Sequence, residues 1–409
     1  MHSRRYDPDR DQDAVRRIWR EVGWLKEGKE EACDLMFGCG ISQVALINDQ
    51  PECAVATAVG GVRYLDEELP LTVLTSVATS RIARKQGLAR RLIARALAEN
   101  AEAGALVAGL GMFEQGYYNQ VGFGTGSYEH RVSFDPATLK VAARHRVPRR
   151  IAPDDWQAAH APRLTRLGTH GRSYLTAAEM TRAGMLLTEN GFGLGYCDAP
   201  DGGLSHYFWC GAQNLEPGPY EVGWMAYQTW DQFLELMALV RSLGDQVHLI
   251  AMGEPPLIQM QDLLDKPFKR QEITEKSKFE ASIRAYAWWQ MRILDLPACL
   301  ALTRLPCGEL RFNLRLTDPV ERYLEADSGW RGVGGEYLVT LGPSSRAKRG
   351  SDPSLPTLTA TVNSFTRLWL GVRPATGLAV TDELSGPADL LAALDSAFSL
   401  PTPKPDWSF

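Results

Sequence analysis

The residues best suited to chemistry form a short basic loop between an apolar strand pattern and a helix pattern. The loop covers residues 81–87, R-I-A-R-K-Q-G, and follows the apolar, β-branched residues 71–79. At the start of a helix, free backbone N–H groups and the positive end of the helix dipole favour a bound phosphate. Arg84 and Lys85 add positive charge, and Gly87 lets the backbone approach closely. The pattern predicts a pyrophosphate site, and its plain alternative is an ordinary helix start with solvated basic side chains.

The chain around this loop alternates predicted strands and helices. Helical spacing of apolar residues over 88–103, followed by Gly104, predicts a helix with a glycine stop. Residues 105–110 form an apolar run that predicts the next strand. Further patterns predict a helix over 11–19, strands over 43–48, 54–64 and 128–134, and a loop over 117–124. This order predicts a domain of mixed α/β type.

A similar order of elements returns further along the chain. Residues 220–227 predict a strand, 230–243 an amphipathic helix, and 247–252 another strand. Only Gln228 and Thr229 separate this strand from its helix, and neither is a glycine or a cation. The second copy is therefore predicted to be structural, and the first copy is predicted to hold the chemistry.

The sequence changes character again from Trp288 onward. It predicts strands at 310–316 and 336–341, a polar loop at 344–356 and a helix at 387–398. These elements predict a small α+β domain. The final residues, 401–409, are rich in proline and end on an aromatic residue, and the prolines favour a stiff, extended path.

The strand end and the basic loop together resemble motif A of the GNAT acetyltransferases. Residues 84–89, R-K-Q-G-L-A, stand where that family binds pyrophosphate, with Lys85-Gln86 in place of Arg or Gln-Arg. By this resemblance, the main chain of Val77 and Thr79 holds the pantetheine arm and polarises the thioester carbonyl. The implied acetyl-CoA site comprises Val77, Ala78, Thr79, Arg84, Lys85, Gln86, Gly87, Leu88 and Ala89.

A second motif resembles the Eis (enhanced intracellular survival) branch of the GNAT superfamily. Residues 117–124, Y-Y-N-Q-V-G-F-G, are similar to its I-Y-x-R-F-G-Y-G element, in which the tyrosine protonates the coenzyme A sulfur. The resemblance assigns this role to Tyr118. A phenol with a pKa of about 10 is matched to a thiolate of comparable basicity. The alternative for Tyr118 is a packing tyrosine in a half-buried loop.

The resemblance to Eis proteins continues to the end of the chain. Residues 289–300, W-Q-M-R-I-L-D-L-P-A-C-L, are similar to the W-x-x-R-x-x-D-x-x-x-x-L signature that opens their third, sterol-carrier-like domain. A helix with an Arg-Asp pair is the plain alternative for this segment. In Eis proteins the terminal carboxylate acts as the base, which assigns that role to Phe409. Ser408 replaces an acidic residue of some relatives, which weakens the case for an aminoglycoside acceptor.

Two other groups of residues have both chemical and plain interpretations. The acidic residues of segment 24–37 could line a polyamine pocket, but a helix with one solvated acidic face explains them equally well. His130 and His206 lack a metal partner at usable sequence spacing and are predicted to be packing or surface residues, so no metal is predicted. The acidic segment contains Glu27, Glu30, Glu31 and Asp34, beside Trp24, Met36 and Phe37.

Composition and charge exclude several functional classes. Hydrophobic residues make up 44% and charged residues 23%, as in an average globular protein. The net charge of −5 is unlike the basic footprint of a nucleic-acid binder. No secretory leader or apolar run of membrane-spanning length occurs, so no membrane partner is expected. Seven cysteines without a CxxC pair predict buried, reduced thiols and a cytoplasmic location.

The sequence and the resemblance together predict three domains. These are a catalytic GNAT domain over 1–145, a degenerate GNAT-like domain over 146–285 and a sterol-carrier-like α+β domain over 286–409. The predicted function is acetyl-CoA-dependent transfer of an acetyl group directly to a primary amine of an aminoglycoside, polyamine or lysine. Eis relatives imply a homo-oligomer, with a hexamer as one form. The alternatives are a non-catalytic acyl-CoA or lipid-binding module and an interaction scaffold of inactive GNAT folds.

Overall fold

The structure, a computed structural model, describes residues 2–265 and 279–408. Its strands are β1 (His2–Arg5), β2 (Gln43–Ile47), β3 (Gln50–Tyr64), β4 (Glu67–Thr79), β5 (Val107–Gly111), β6 (Gly124–Thr125), β7 (Glu129–Phe134), β8 (Arg149–Ile151), β9 (Ser173–Leu175), β10 (Phe192–Tyr196), β11 (His206–Ala212), β12 (Tyr220–Ala226), β13 (Ile250–Gly253), β14 (Ser282–Tyr286), β15 (Trp289–Ile293), β16 (Leu310–Thr317), β17 (Gly335–Leu341), β18 (Arg346–Arg349), β19 (Thr357–Thr361) and β20 (Leu384–Ser385). Its helices are α1 (Pro8–Glu21), α2 (Glu30–Gly38), α3 (Leu88–Glu102), α4 (Trp156–Thr165), α5 (Ala178–Leu187), α6 (Trp230–Ser242), α7 (Leu296–Ala301), α8 (Val362–Trp369), α9 (Ala375–Thr381) and α10 (Ala388–Ala397).

The chain forms two compact units. Unit 1 contains Met1–Ser127, Thr169–Thr176 and Ala287–Phe409, and unit 2 contains Tyr128–Gly168 and Ala177–Tyr286. The predicted domain boundaries at residues 145 and 285 stay a prediction. Contacts place the first and last segments of the chain together in unit 1. None of the helices in the described ranges has the length and hydrophobicity needed to cross a membrane.

Unit 1 is built on two mixed sheets. The larger sheet has the order β1-β2-β3-β4-β5-β15-β6, with β9 paired to β3, and the smaller has the order β18-β17-β16-β19-β20. The larger sheet is mainly antiparallel, and β4 and β5 form a parallel pair joined through α3. This strand–helix–strand connection is the one that the sequence predicts.

Helices cover both faces of the larger sheet of unit 1. Ala45 of β2 packs with Leu92 and other apolar residues of α3, whereas Val44 packs with Trp19 of α1 and Phe37 of α2. Neighbouring strand residues point to opposite faces, so β2 contributes to two cores at once. β2, β3 and β4 therefore contain continuous buried runs, at residues 43–46, 51–58 and 71–74, as a sheet covered on both faces requires.

Unit 2 contains a single mixed sheet in the order β14-β7-β13-β12-β11-β10-β8. Its β12 and β13 are parallel and are joined through α6, which confirms the predicted second strand–helix–strand order. The predicted strand 128–134 forms as β7, but it pairs with β13 and β14 and not with the first sheet. Local sequence predicts a strand, whereas its partners are set by residues far along the chain. The mixed α/β class is confirmed, and the tandem GNAT arrangement with a sterol-carrier-like domain stays a prediction.

The predicted third segment contributes a strand to the first sheet. β15 pairs antiparallel with both β5 and β6, so Trp289–Ile293 is a central strand and not a helix. Asp295 of the same signature caps α7 by accepting the N–H of Ala298. The segment 344–356, predicted as a polar loop, contains β18, an edge strand of the smaller sheet.

An ion pair with no exposed surface ties β15 to the rest of unit 1. Arg292 and Asp318 have side chains that are 0% and 1% exposed, with Nη2 and Oδ2 2.5 Å apart. Asp318 also accepts N–H groups from Val320 at 3.1 Å and Val333 at 2.9 Å. A buried charge left without its partner is costly, since nothing else compensates its desolvation.

We expect Asp318→Ala to lower the free energy of unfolding by about 3–5 kcal/mol, because it leaves the Arg292 guanidinium buried without its counterion. Chemical denaturation measures this change. Glu336→Ala is the control, because Glu336 pairs with Arg315 through side chains that are 52% and 63% exposed. An exposed pair contributes about 1 kcal/mol or less. Equal losses in the two variants would contradict the structural role of the buried pair.

The cysteines agree only in part with the prediction of buried thiols. None of the seven forms a disulfide bond in the described chain, and Cys33, Cys53, Cys210 and Cys299 are buried. Cys197 is exposed, and Cys39 and Cys307 are half-buried, which corrects the expectation that all are buried.

Candidate active site

The parallel strands β4 and β5 separate at their carboxyl ends. Their pairing stops at Leu74 and Leu110, while β4 continues to Thr79 against β3. A β-bulge lies between Ala54 and Ala56 of β3, and Ser76, opposite it, has a φ of 56°. In the described chain no strand pairs with the β5-facing edge of residues 75–79. The result is an open edge of backbone polar groups that an extended ligand can join.

The backbone N–H of Thr79 points to this open edge. The N–H of the next residue, Ser80, donates to the carbonyl of Glu52 in β3 at 2.8 Å. Successive N–H groups of a strand point to opposite edges, so the N–H of Thr79 points away from β3. The side chain of Ala78 is buried in the core against α1 and α2, so it offers a ligand only its main chain.

The basic loop then turns sharply into α3. Lys85 and Gly87 both have left-handed backbone conformations, with φ of 61° and 76°. The helix begins without a side-chain cap. Among the described residues, none accepts a hydrogen bond from the backbone N–H groups of residues 85–89. Free donors at the positive end of a helix of 15 residues are suited to bind an anion.

The side chains of the loop divide into two kinds. Arg84, Lys85 and Gln86 are exposed and free to approach a phosphate, apart from a bond from Gln86 Nε2 to the carbonyl of Ile82 at 3.1 Å. The side chains of Leu88 and Ala89 are 3% and 9% exposed and pack in the core below α3. Of the predicted cofactor-binding residues, Leu88 and Ala89 can therefore contribute only backbone groups.

The equivalent helix start in unit 2 is closed. Thr229 caps α6 by accepting the N–H of Gln232 at 3.3 Å, and Oε1 of Gln232 accepts the N–H of Gln228 at 2.7 Å. Side chains thus accept hydrogen bonds from N–H groups at the start of α6, whereas the N–H groups at the start of α3 are free. The sequence-based expectation that the second copy lacks an anion site agrees with this capping.

Tyr118 lies in a 3-10 turn, Tyr118–Val121, beside α3. Its side chain is 3% exposed and belongs to the same core as Leu88 and Leu92. Arg90 in the first turn of α3 bonds Gln120 of this turn directly. The structure therefore brings the predicted proton donor next to the predicted pyrophosphate site.

Burial raises the pKa of the Tyr118 phenol, and the neighbouring Tyr117 raises it further. The phenol is thus fully protonated at neutral pH and is able to donate. Among the residues that the structure describes, none forms a hydrogen bond with its hydroxyl. Burial acts on thiols in the same direction: it raises the pKa of nearby Cys53 to about 11.

Tyr117 is a neighbour of the site that the sequence motif does not single out. Its ring lies 5.1 Å from that of Tyr118, nearly perpendicular to it. Burial raises the pKa of Tyr117, and nearby Cys53 raises it further. The Sγ of Cys53 is 3.3 Å from Oγ1 of Thr79. Tyr117 therefore lies close to the end of β4 as well, and a tandem Y-Y in the sequence is the only signal that could have indicated it.

The chain end is docked on unit 1 as far as the structure describes it. The N–H of Lys404 donates to the backbone carbonyl of His170 at 2.9 Å, and the N–H of Ser173 donates to the carbonyl of Pro405 at 2.8 Å. The hydroxyl of Ser127 donates to the carbonyl of Pro403 at 2.6 Å. Ser173 belongs to β9, which pairs with β3 next to β4. Trp407 is 4% exposed. Phe409, predicted to carry the base, lies outside the described residues.

Arginine side chains pair with part of the acidic segment 24–37. Glu30 pairs with Arg20 at 2.8 Å, and Asp34 pairs with Arg16. Glu27 and Glu31 are exposed. The structure favours the solvated acidic face over the polyamine pocket, because two of the four carboxylates already bind arginine.

His130 and His206 differ from each other in surroundings. His130 is half exposed and pairs with Glu254 at 2.9 Å, as a surface residue does. In unit 2, His206 lies near Asp198 and Glu235, with possible ligand atoms within 4.8 Å of one another. Sequence spacing missed this group because its members come from different elements. The guanidinium of Arg146 binds both carboxylates, at 2.6 and 2.8 Å, so a metal ion would have to displace it.

Comparison with solved structures identifies the fold over the whole chain. A protein of unknown function from Enterococcus faecalis V583, described as a probable N-acyltransferase, matches with a TM-score of 0.78 at 16% identity, covering 100% of this chain and 99% of that chain. A GCN5-related N-acetyltransferase from Kribbella flavida matches with a TM-score of 0.73 at 18% identity and coverages of 100% and 98%. Eis1 from Mycobacterium abscessus matches with a TM-score of 0.74 at 16% identity and coverages of 100% and 100%. No protein-family model and no curated protein matches the sequence. The chain shares its fold with these three structures.

Proposed function

We propose that this chain is an acetyl-CoA-dependent N-acetyltransferase that moves the acetyl group directly to a primary amine. One observation carries the proposal: the uncapped start of α3, with its free N–H groups, lies beside the open edge of β4. A pyrophosphate at residues 84–89 and an extended pantetheine along residues 77–79 fit these two features. The capped start of α6 explains why only the first strand–helix–strand unit would bind the cosubstrate.

The reaction requires two proton transfers and no covalent intermediate on the protein. The amine nitrogen attacks the thioester carbon, the C–N bond forms and the C–S bond breaks. Tyr118 gives its proton to the departing thiolate, and a carboxylate accepts the proton that the amine, attacking in its neutral form, loses as the amide forms. The N–H of Thr79, on the open edge of β4, is suited to polarise the thioester carbonyl. We assign the carboxylate role to the terminal group of Phe409.

The acceptor is proposed only as a primary amine. Aminoglycosides, polyamines and protein lysines remain candidates, and the paired carboxylates of Glu30 and Asp34 give a polycation no unused partner at those positions. A cytoplasmic homo-oligomer is part of the proposal through the Eis resemblance. A lipid-binding module is less favoured, because binding alone does not need an unpaired phenol beside the anion site.

The test is release of coenzyme A from acetyl-CoA, followed with a thiol-detecting reagent across a panel of amines. We expect release that depends on both the enzyme and a primary amine, together with an acetylated product of matching mass. A chain that binds acetyl-CoA but releases no thiol with any amine of the panel would contradict the proposal and favour the binding module.

We expect calorimetric titration to show one coenzyme A site per chain and Gly87→Val to weaken it about tenfold or more, equivalent to roughly 1.4 kcal/mol. A β-branched residue is strained at the φ of 76°, so the loop would have to change its path. Gly104→Val is the control: its φ is 99°, and a side chain there also enters open space, but it lies after the far end of α3. Two sites in the parent, or equal affinity in Gly87→Val, would count against the assignment.

A further inference from the structure

The turn that carries Tyr118 is held in place by side-chain amides. Asn119 Oδ1 accepts the N–H of Gly116 at 3.0 Å and Nε2 of Gln290 at 3.2 Å. Asn119 Nδ2 donates to the carbonyl of Phe123 at 3.0 Å. The turn is thus closed on itself through Asn119 and attached to β15 through Gln290.

Asn363 fixes the same turn from a different element. It lies in the first turn of α8, and its Nδ2 donates to the carbonyls of Asn119 at 2.8 Å and Phe123 at 3.0 Å. The first carbonyl lies near the start of the Tyr118–Val121 turn and the second lies just after its end. One amide group therefore holds both ends of the bend at a fixed separation.

Arg292 adds a third attachment. Its Nη1 donates to the carbonyl of Val121 at 2.5 Å, while its Nη2 pairs with Asp318. Gly122, with a φ of 90°, packs so closely on this guanidinium that a side chain would collide with it. Gln290, Arg292 and Asn363 all come from the predicted third segment and lie in unit 1.

These attachments matter because the Tyr118 side chain has no polar anchor of its own. Its ring is placed by aromatic packing against Phe113, Tyr117 and Phe123, and its hydroxyl has no partner among the residues that the structure describes. The position of the phenol therefore depends on the backbone of its turn. A misplacement of about 1 Å in a reacting group can lower a rate about 100-fold.

We propose that Asn363 is a positioning residue for Tyr118, so that the carboxyl-terminal segment is a working part of the acetyl-transfer site and not only an attached domain. The inference rests on the proposed function. It assigns to α8 a task that neither sequence motif contains, since Asn363 lies far from both in the chain.

The experiment compares Asn363→Ala with the parent in steady-state kinetics on the full-length protein. We expect kcat to fall by about 10- to 100-fold while the KM for acetyl-CoA stays within about twofold. In a Tyr118→Phe background, Asn363→Ala should cause no further loss of kcat, because the group it positions is already gone. Additive losses would show that Asn363 acts by another route and would overturn the proposal.

Asn313→Ala is the matched control. Asn313 Nδ2 also donates to two backbone carbonyls, Asp352 at 2.8 Å and Leu355 at 3.1 Å, but in the smaller sheet of unit 1. We expect it to lower stability and leave kcat unchanged. Hydrogen exchange supplies a readout without activity: Asn363→Ala should speed exchange of the Gly122 and Phe123 amides, and Asn313→Ala should not.

The outcomes separate the two proposals. If the parent transfers no acetyl group to any amine, the proposed function fails, and faster exchange in Asn363→Ala still supports its hold on the turn. If the parent is active and Asn363→Ala keeps its kcat and its slow exchange, the proposed function stands and the positioning role is overturned.

Discussion

Tyr118→Phe is expected to lower kcat by about 10²–10⁴-fold while the KM for acetyl-CoA changes little, because a positioned general acid contributes a factor of that size. The substitution removes one hydroxyl and keeps the ring that packs against Phe113 and Phe123. The hydroxyl has no partner in the described part of the chain, so its loss should not affect stability. Stopped-flow or plate-based thiol release at saturating amine measures the change.

The pH profile adds an independent check on this assignment. Burial raises the pKa of Tyr118 above its ordinary value of about 10, so the protonated, donating form persists as the pH rises to that value. Ionisation of Tyr118 should therefore cause no fall in kcat below about pH 10. A loss of kcat centred near pH 8 that disappears in Tyr118→Phe would contradict a raised pKa for Tyr118.

Tyr117→Phe is the matched control, since it removes the same group from the adjacent residue. The Tyr117 ring is 5.1 Å from the ring of Tyr118. Burial raises the pKa of the Tyr117 phenol, and Cys53, near the end of β4, raises it further. We expect at most a small change in kcat. If Tyr117→Phe causes the large loss and Tyr118→Phe does not, the motif-based assignment is wrong by one residue and the proton donor is Tyr117.

Local chemistry explains which parts of the fold were predictable. The strand end, basic loop and helix over residues 71–103 occur where predicted, because apolar periodicity and the glycine at position 87 are signals within a few residues of one another. The strand–helix–strand order around α6 was equally visible, and the capping of α6 by Thr229 is consistent with the prediction that this copy lacks an anion site. Short-range patterns therefore predicted the elements of both copies.

Long-range pairing was not predictable from the same patterns. Residues 128–134 form a strand as predicted, but no local signal indicates that its partners are β13 and β14. The signature at 289–300 was noticed, yet its role as a strand between β5 and β6 depends on residues more than a hundred positions away. Strand propensity is a local property, whereas strand order is decided by the packing of the whole unit.

The backbone geometry of the candidate site was more predictable than its side-chain contacts. The loop and helix start over residues 85–89 have free N–H groups, as the motif implies, whereas Leu88 and Ala89 have side chains that face the core. The sequence did not indicate Tyr117 or Asn363, because their proposed roles depend on how close they lie to Tyr118 in space. The arginine partners of Glu30 and Asp34 were also missed, so the acidic segment kept a chemical interpretation that the ion pairs argue against.

Gly171→Ala is expected to lower kcat by about 10²-fold or more, because it prevents the chain end from docking. Gly171 has a φ of 84°, and a side chain there would lie 2.5 Å from the backbone nitrogen of Lys404 and 2.8 Å from Cα of Pro403. The bonds of Lys404 to His170 and of Pro405 to Ser173 would both be displaced. If the terminal carboxylate of Phe409 accepts the proton that the amine loses as the amide forms, this variant moves the carboxylate out of position, and a general base contributes a factor of about 10²–10⁴.

The loop that contacts this tail is held by two hydrogen bonds of His170, so even a small side chain at position 171 should have a large effect. His170 Nδ1 accepts the N–H of Leu65 at 3.1 Å, and its Nε2 donates to the carbonyl of Leu370 at 3.0 Å. Burial lowers the pKa of His170, so the neutral ring that makes both bonds persists at neutral pH. The loop cannot move aside without breaking them, and the tail must move instead.

Two further changes test whether the docked chain end supplies the base: Gly202→Ala and amidation of the terminal carboxyl group. Gly202 in unit 2 has a similar φ of 76° with open space around it, so its replacement brings the same backbone strain without a collision, and kcat should not change. Amidation of the terminal carboxyl group removes its charge and keeps the Phe409 ring, so it should reproduce the loss seen in Gly171→Ala. If the amidated protein acetylates amines at the parent rate while Gly171→Ala does not, the docked tail shapes the site by packing and the base must be a different group. If neither change lowers kcat, the tail has no part in the reaction.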